Sequence, residues 1–160
     1  MAKNKEVKTN AMRFLDKHKV AYEAFTYECD EFTDGVELAK KLNAPLEITF
    51  KTLVTVGKSK DYFVFVLPVA EELDFKKAAR SVGEKSIEMI HVKDINAITG
   101  YVRGGCSPLG MKKQFTTVID SAAEDLDLIY VSGGRLGSQV KCSPQDLAKV
   151  IKAKFEDITV

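Results

Sequence analysis

A chain of 160 residues, 45% of them hydrophobic, is long enough to bury one core and too short for two ordinary domains. Its 24 Lys and Arg stand against 23 Asp and Glu, a formal charge of +1, so the global field draws it neither onto nucleic acid nor onto an anionic membrane; a polyanionic partner has to be met by a local patch. With 29% charged residues, 10 Gly, 4 Pro and no apolar stretch approaching the ~18 residues of a membrane span, the disordered, collagen-like and membrane-spanning classes are excluded. The polar, basic N-terminal stretch has no apolar segment or small-residue cleavage site of a secretory leader, so the expected compartment is the cytoplasm. Cys29, Cys106 and Cys142 are odd in number and form no Cys-x-x-Cys pair, which predicts neither a disulfide framework nor a zinc site.

Met12 and Leu15 among polar residues predict a first helix over 10–19, with basic residues at its end where they suit the helix dipole. The alternating, aromatic-rich stretch 22–27 reads as a strand, followed by a charged turn at 28–32. Thr33 or Asp34 caps a second helix whose Val36, Ala39 and Leu42 fall on one side and which Pro45 ends. At the apolar centre, 48–56 and 62–69 are β-branched and aromatic runs joined by a polar loop, the pattern of a hairpin, and Pro68 marks its second strand as frayed or at an edge near its end. Residues 73–82 read as a third helix, capped by Asp74 and closed by Gly83. A short strand over 87–91 and a short helix over 92–98 lead into 99–113, which holds four of the ten glycines and a proline, too many for a regular element. Strands at 117–119 and 128–131, a small-residue loop at 132–138, a strand at 139–142 and a helix from Ser143 with Pro144 in its first turn close the chain. Hairpin-connected strands mixed with helices predict an α+β domain around a mixed sheet.

Period two in the 48–56 strand puts Phe50, Thr52 and Val54 on one face and Lys51, Leu53 and Thr55 on the other. Lys51 thus lies in a partly apolar surface, where a lysine either snorkels to water or serves as a partly desolvated ammonium that orients a substrate oxygen. Gly105 and Gly110 have the separation of a phosphate loop, but Met111 and Lys112 stand next where that motif needs Lys and then Ser or Thr, so no nucleoside triphosphate site is predicted. Gly104-Gly105-Cys106-Ser107-Pro108 remains as a stretch that exposes backbone N–H groups to a carbonyl oxygen or a ribose, or else as a tight turn without a ligand. Gly134-Arg135-Leu136-Gly137 matches the GxxG loop of some RNA-binding domains, a short pattern that chance often supplies. Cys106 or Ser107 as a nucleophile lacks a base, because the two histidines, His18 and His91, sit at a helix end and after a short strand. The cysteines read better as small packing residues. Lys58, Lys60, Arg103, Lys112, Lys113, Arg135 and Lys141 fall mostly on loops, as scattered solvated charges unless the fold gathers them at one rim.

Three of these features in this order resemble the YbaK/EbsC family of aminoacyl-tRNA deacylases: Phe50-Lys51-Thr52-Leu53; Thr99-Gly100-Tyr101 with Gly104-Gly105-Cys106-Ser107-Pro108-Leu109-Gly110; and Tyr130-Val131-Ser132-Gly133-Gly134. The likeness also takes in Thr26-Tyr27-Glu28, Pro68-Val69-Ala70 with Leu73-Asp74, and Asp146-Leu147-Ala148-Lys149, and so runs nearly end to end. That family is similar to the editing domain inserted in bacterial prolyl-tRNA synthetases, and its members typically clear cysteine mischarged onto proline tRNA.

The resemblance implies a single deacylase domain over 1–160, an α+β fold in which a mixed, barrel-like sheet is flanked by helices. It implies that Lys51 is the lysine the family requires and that Gly104 to Pro108 is its GxxxP loop. In that loop the N–H groups of Gly104 and Gly105 face a developing oxyanion, and Cys106, Ser107 and Pro108 border the substrate. Tyr27, Thr52, Ser132 and Gly133 are implied as pocket residues. One position departs from the closest family pattern, which carries an aspartate where this chain has Gln139, an amide that hydrogen-bonds but can neither balance an ammonium nor take a proton. The implied activity is trans-editing release of cysteine from Cys-tRNA(Pro), and also from Cys-tRNA(Cys), by attack of the substrate thiol on its own ester, with no cofactor and no metal. The implied partners are the acylated tRNA and a prolyl-tRNA synthetase complex, with no membrane. Gln139 leaves open a preference for another small amino acid such as alanine or serine, and the near-neutral charge leaves open a non-catalytic module for tRNA or protein.

Overall fold

The computed structural model describes residues 8–28 and 34–160. Cys29, the turn at 29–32 and the Thr33 alternative for a helix cap lie outside the described residues. Local capping sets where the helices begin. Thr9 accepts from the Met12 N–H to start α1 (Asn10–Lys17), Asp34 accepts from Val36 and Glu37 to start α2 (Gly35–Leu42), and Asp74 accepts from Lys76 and Lys77 to start α3 (Phe75–Val82). The short α4 (Ile95–Thr99) comes directly after a 3-10 turn at Val92–Asp94, and Ser143, with Pro144 in the first turn, caps α5 (Pro144–Ile151).

The strands are β1 (Tyr22–Thr26), β2 (Phe50–Gly57), β3 (Tyr62–Pro68), β4 (Ile87–Met89), β5 (Thr116–Asp120), β6 (Ile129–Ser132), β7 (Ser138–Cys142) and β8 (Lys154–Glu156). They form two sheets, a three-stranded one in the order β1-β7-β6 and a five-stranded one in the order β4-β2-β3-β5-β8. The β2–β3 hairpin is antiparallel, whereas β3–β5 and β5–β8 are parallel. The expected barrel-like closure is therefore corrected: the two sheets meet through a single isolated bridge, Thr49 to Tyr130, and the five-stranded sheet ends in unjoined edges at β4 and β8. Pro68 falls where β3, an interior strand over most of its length, becomes an edge near its end, as its sequence position predicts. The proline is tolerated because it sits in the last register position against Phe50, and the β5 ladder has already stopped at Val66.

One face of the five-stranded sheet packs Phe63, Phe65 and Leu67 against Ala78 and Ala79 of α3. The opposite face, through Phe50, Val66 and Ile119, joins Leu15 of α1, Val131 and Val140 of the small sheet, and Leu147 of α5. Asp120 ties the C-terminal segment to this core, accepting from Ala122 N at 3.0 Å and from Ile158 N at 3.0 Å although it is only 4% exposed.

The hairpin register decides which edge of β2 is left open. Val69 N donates to Thr49 O and Gly57 N to Asp61 O, so Lys51, Leu53 and Thr55 hold the hydrogen-bonded positions facing β3. The amides of Phe50, Thr52 and Val54 point the other way, toward β4. Strand β4 pairs only with Thr55, Val56 and Gly57, leaving the first half of β2 without that neighbour. Beyond Ile90, whose N–H reaches Val54 O at 3.4 Å, the chain turns away into the 3-10 turn and α4.

Candidate functional site

A cavity of about 770 Å³ opens beside this uncovered part of β2. Its walls come from Lys51, Thr52 and Leu53 of β2; Val69 to Glu72 after β3; Met89, Ile90, Val92 and Ile95 at and beyond the end of β4; and Arg103, Gly104 and Cys106 of the glycine-rich loop, with Ser132 of β6 and Gln139 of β7 closing it. Gly35, at the start of α2, abuts Val69 so closely that a Cβ there would fall 2.4 Å from the Val69 Cβ, which lets α2 close one side. The strand lysine and the GxxxP loop thus border one space.

Lys51 is half-buried, and its Nζ donates to Val69 O across a long 3.4 Å. Burial pushes its pKa below the ordinary lysine value, opposed by the charges of Glu72 and Glu71 on the same wall. Lys51 and Arg103 are the cations of the lining; Asp34, Glu71 and Glu72 are its carboxylates. Of the other expected basic residues, Lys112 donates to Ala97 O, and Lys141 lies over the rings of Phe25 and Tyr130 beside the same small sheet that carries Gln139.

Six of the eleven expected site residues, Lys51, Thr52, Gly104, Cys106, Ser132 and Gln139, line the cavity. Five do not. Gly105 donates its N–H to Val102 O at 2.9 Å and lies against Arg135 and Leu136, where a Cβ would meet backbone atoms at 2.8 Å. In this structure its N–H, expected to face an oxyanion, is engaged in the turn. The N–H groups on either side, of Gly104 and Cys106, have no backbone acceptor among the described residues. Ser107 is fully buried and its Oγ accepts from Leu109 N; Pro108 is buried beside it. Gly133 donates its N–H to Ser138 O and accepts from the Thr9 hydroxyl, fastening the loop after β6 to the start of α1. Tyr27, just beyond β1, donates its N–H to Gly137 O.

Two buried side-chain oxygens at the site, Thr52 Oγ1 and Gln139 Oε1, have no hydrogen-bond partner in the structure. Gln139 is 3% exposed, so its amide oxygen is an unmet polar atom of the kind that native cores rarely tolerate. The Cys106 thiol is pushed up to about 11 by burial and is protonated at neutral pH, and neither histidine lines the cavity. Among the described residues the lining therefore offers no activated protein nucleophile. It offers instead an ammonium, neutral hydrogen-bonding side chains and an apolar wall.

The apolar wall of Met89, Ile90, Val92 and Ile95 and the acidic lip of Glu71 and Glu72 are site residues that sequence reasoning missed. Their only signal was position, next to Pro68-Val69-Ala70 and in the segment after a short strand. No group of three or more His, Cys, Asp or Glu able to hold a metal ion occurs among the described residues, and no helix among them is long and apolar enough to cross a membrane.

The site can be set beside known proteins. The family model of the aminoacyl-tRNA editing domain matches residues 31–150. An Enterococcus faecalis protein named "Putative Cys-tRNA(Pro)/Cys-tRNA(Cys) deacylase EbsC" is 44% identical over 161 residues, covering 99% of this chain and 98% of that one. Among solved structures, a hypothetical protein superposes with TM-score 0.85 at 18% identity, covering 94% of this chain and 99% of that one. A protein described as a "putative trans-editing enzyme for prolyl tRNA synthetase" superposes with TM-score 0.82 at 21% identity, over 97% of this chain and 99% of that one. At those identities the structural matches bear on the fold, which is the same single α+β domain.

Proposed function

The chain belongs to the aminoacyl-tRNA editing domain family, and from that premise we propose that it is a trans-editing deacylase that releases cysteine from Cys-tRNA(Pro) and Cys-tRNA(Cys). The observation that carries this reading is the convergence of Lys51 with Gly104 and Cys106 on one cavity whose described lining holds no activated protein nucleophile. An aminoacyl ester is already reactive, so alignment and charge stabilisation suffice for its cleavage.

In this reading the acylated 3′ terminus of the tRNA enters the cavity with its ester carbonyl against the N–H groups of Gly104 and Cys106. Lys51 donates to the ribose or to the terminal phosphate, and its partial desolvation strengthens that interaction. Ser132, Thr52 and Gln139 flank the amino-acid end. The cysteine thiol then attacks its own carbonyl carbon. A C–S bond forms, the C–O bond to the ribose breaks, and the thiol proton passes to the ribose oxygen, leaving a cyclic thioester and free tRNA. Alanine and proline lack the thiol and are spared. The relative named as a Cys-tRNA deacylase supports cysteine as the amino acid.

Gln139 favours a second reading, deacylation of another small residue such as alanine or serine by water, because a neutral amide replaces the charged group expected there. A panel of cysteinyl-, alanyl-, seryl- and prolyl-tRNA separates the two. Rapid loss of the cysteinyl ester alone is expected; equal loss of the alanyl ester refutes thiol assistance, and no loss of any ester refutes the deacylase. With a net charge of +1, selection of the tRNA body is assigned to a partner such as prolyl-tRNA synthetase. The isolated protein then cleaves cysteinyl esters on different tRNAs at similar rates, and strong discrimination by the protein alone would contradict this assignment.

A further inference from the structure

The Thr9 hydroxyl makes two hydrogen bonds of different purpose. Its Oγ1 accepts from Met12 N at 3.1 Å, which starts α1, and the same hydroxyl donates to Gly133 O at the far end of the chain. The first bond is an ordinary helix cap, which an aspartate would make equally well. The second does nothing for the helix. It fastens the residue that directly follows Ser132, a member of the cavity wall, although Thr9 itself lies outside that wall.

The surroundings of that bond show what it holds together. A Cβ at Gly134 would fall 3.1 Å from the Thr9 Cβ and 3.2 Å from Tyr101 Cε1, and one at Gly110 would fall 2.7 Å from Asn10 O and 3.0 Å from the Tyr101 hydroxyl oxygen. Both glycines have positive φ, +104° and +70°, so neither contact admits a side chain. Tyr101, 4% exposed and donating its hydroxyl to Leu109 O, thus touches both glycine-rich loops, and the residues that open α1 cover both. Each loop reaches the cavity within a few residues of this junction. On one, Gly134 N donates to Ser132 Oγ at 3.1 Å and Gly133 N to Ser138 O, next to Gln139 of β7, so anchoring Gly133 O anchors Ser132 and Gln139 together. On the other, Tyr101 leads directly into Arg103, Gly104 and Cys106.

We propose that Thr9 is a positioning residue: by holding Gly133 O beside Tyr101 it sets the loop after β6 against the glycine-rich loop 99–113, and with it the placement of Ser132 relative to Gly104 and Cys106. The inference rests on the deacylase reading for the reaction that this placement serves, but the junction is testable without it. Thr9 acts through its neighbours and meets no reacting atom. Misplacing aligned groups by ~1 Å costs a reaction up to ~10²-fold, so loosening the junction slows the bound ester more than it weakens binding of the tRNA.

The test separates the two bonds of the hydroxyl in the full chain. Thr9→Ser keeps both, whereas Thr9→Asp keeps the cap and at neutral pH has no proton to give to Gly133 O. With cysteinyl-tRNA, Thr9→Asp is expected to lose on the order of tenfold in kcat with KM held within about threefold, and Thr9→Ser to restore kcat to within about twofold of the wild type. If Thr9→Asp does not fold, Thr9→Gly takes its place, since glycine keeps most of the stability of a helix cap while removing the hydroxyl. Equal rates in the aspartate and serine variants reduce Thr9 to a helix cap and overturn the proposal, as does a loss in Thr9→Ser that matches the loss in Thr9→Asp. Amide hydrogen exchange reads the junction without substrate. Protection of the Gly134 N–H is expected to fall in Thr9→Asp while that of the Arg13 N–H, bonded to Thr9 O in the first turn of α1, is kept. Protection lost at both, or unchanged at both, overturns the proposal. A wild-type protein and variant that show this exchange pattern while the wild type leaves every aminoacyl ester intact keep the junction and refute the deacylase reading.

Discussion

Replacing Lys51 with methionine removes the ammonium while keeping most of the stem, and the structure separates its effect on activity from its effect on folding. In the free protein Lys51 makes one long hydrogen bond, 3.4 Å to Val69 O, so little native structure depends on it. Burial lowers its pKa, which means that the folded state holds the proton less tightly than the unfolded chain. Stability therefore rises with pH from the lowered value up to the unfolded value of 10.5, and at neutral pH the charge is a liability to folding. Lys51→Met is accordingly expected to melt at the wild-type temperature or above it. Against the substrate the ammonium donates a charge-assisted hydrogen bond, ~1.5–3 kcal/mol, so kcat/KM for cysteinyl-tRNA falls on the order of 10- to 150-fold. Single-turnover release of tRNA from a labelled cysteinyl ester, read beside a thermal melt of the same preparation, measures both. Undiminished cleavage refutes the role of Lys51. A loss of activity that tracks a large fall in melting temperature refutes the separation of function from folding.

Three other outcomes are expected from particular contacts. Gly105→Ala sets a Cβ 2.8 Å from the backbone of Arg135, so the two glycine-rich loops must move apart, and a urea melt should show a loss of about 1–3 kcal/mol; Gly83→Ala, with open space around it and only a positive φ to strain, should cost less. Asp120→Ala strands the N–H groups of Ala122 and Ile158 and should cost about 2–4 kcal/mol in the same melt, with the chain after α5 losing hydrogen-exchange protection first. Cys106→Ala should keep its cleavage rate within about threefold, because a thiol pushed up to about 11 by burial is not the nucleophile; a loss of two orders of magnitude or more would require a covalent intermediate.

Much of the fold was legible because its signals are local. The β2–β3 hairpin arises from two β-branched runs around a polar loop, and α3 from Asp74 and Gly83, which cap it at both ends. The short β8, at residues Lys154–Glu156, was missed, since three residues with one half-buried phenylalanine carry no periodicity. The parallel pairing of β3 with β5 was equally unreadable, because its partners stand far apart in sequence and only tertiary packing joins them. The same limit applied to the site. Lys51 and Gly104 were singled out by strand periodicity and glycine content and given their roles by the family resemblance, but which N–H groups the loop leaves unbonded depends on the turn it closes, where Gly105 donates to Val102 O and lies against Arg135. The apolar wall was hidden for a related reason. Met89 and Val92 read as ordinary strand and helix residues until β4 proves too short to cover the start of β2.

The most direct measurement is a crystal structure of the protein with the non-hydrolysable amide analogue of 3′-cysteinyl-adenosine. The account predicts the analogue in the cavity beside β2, its carbonyl oxygen within hydrogen-bond distance of the Gly104 or Cys106 N–H, and the Lys51 ammonium on its ribose or phosphate. An analogue seated away from Lys51, or with its carbonyl turned from that loop, would contradict the account at its root.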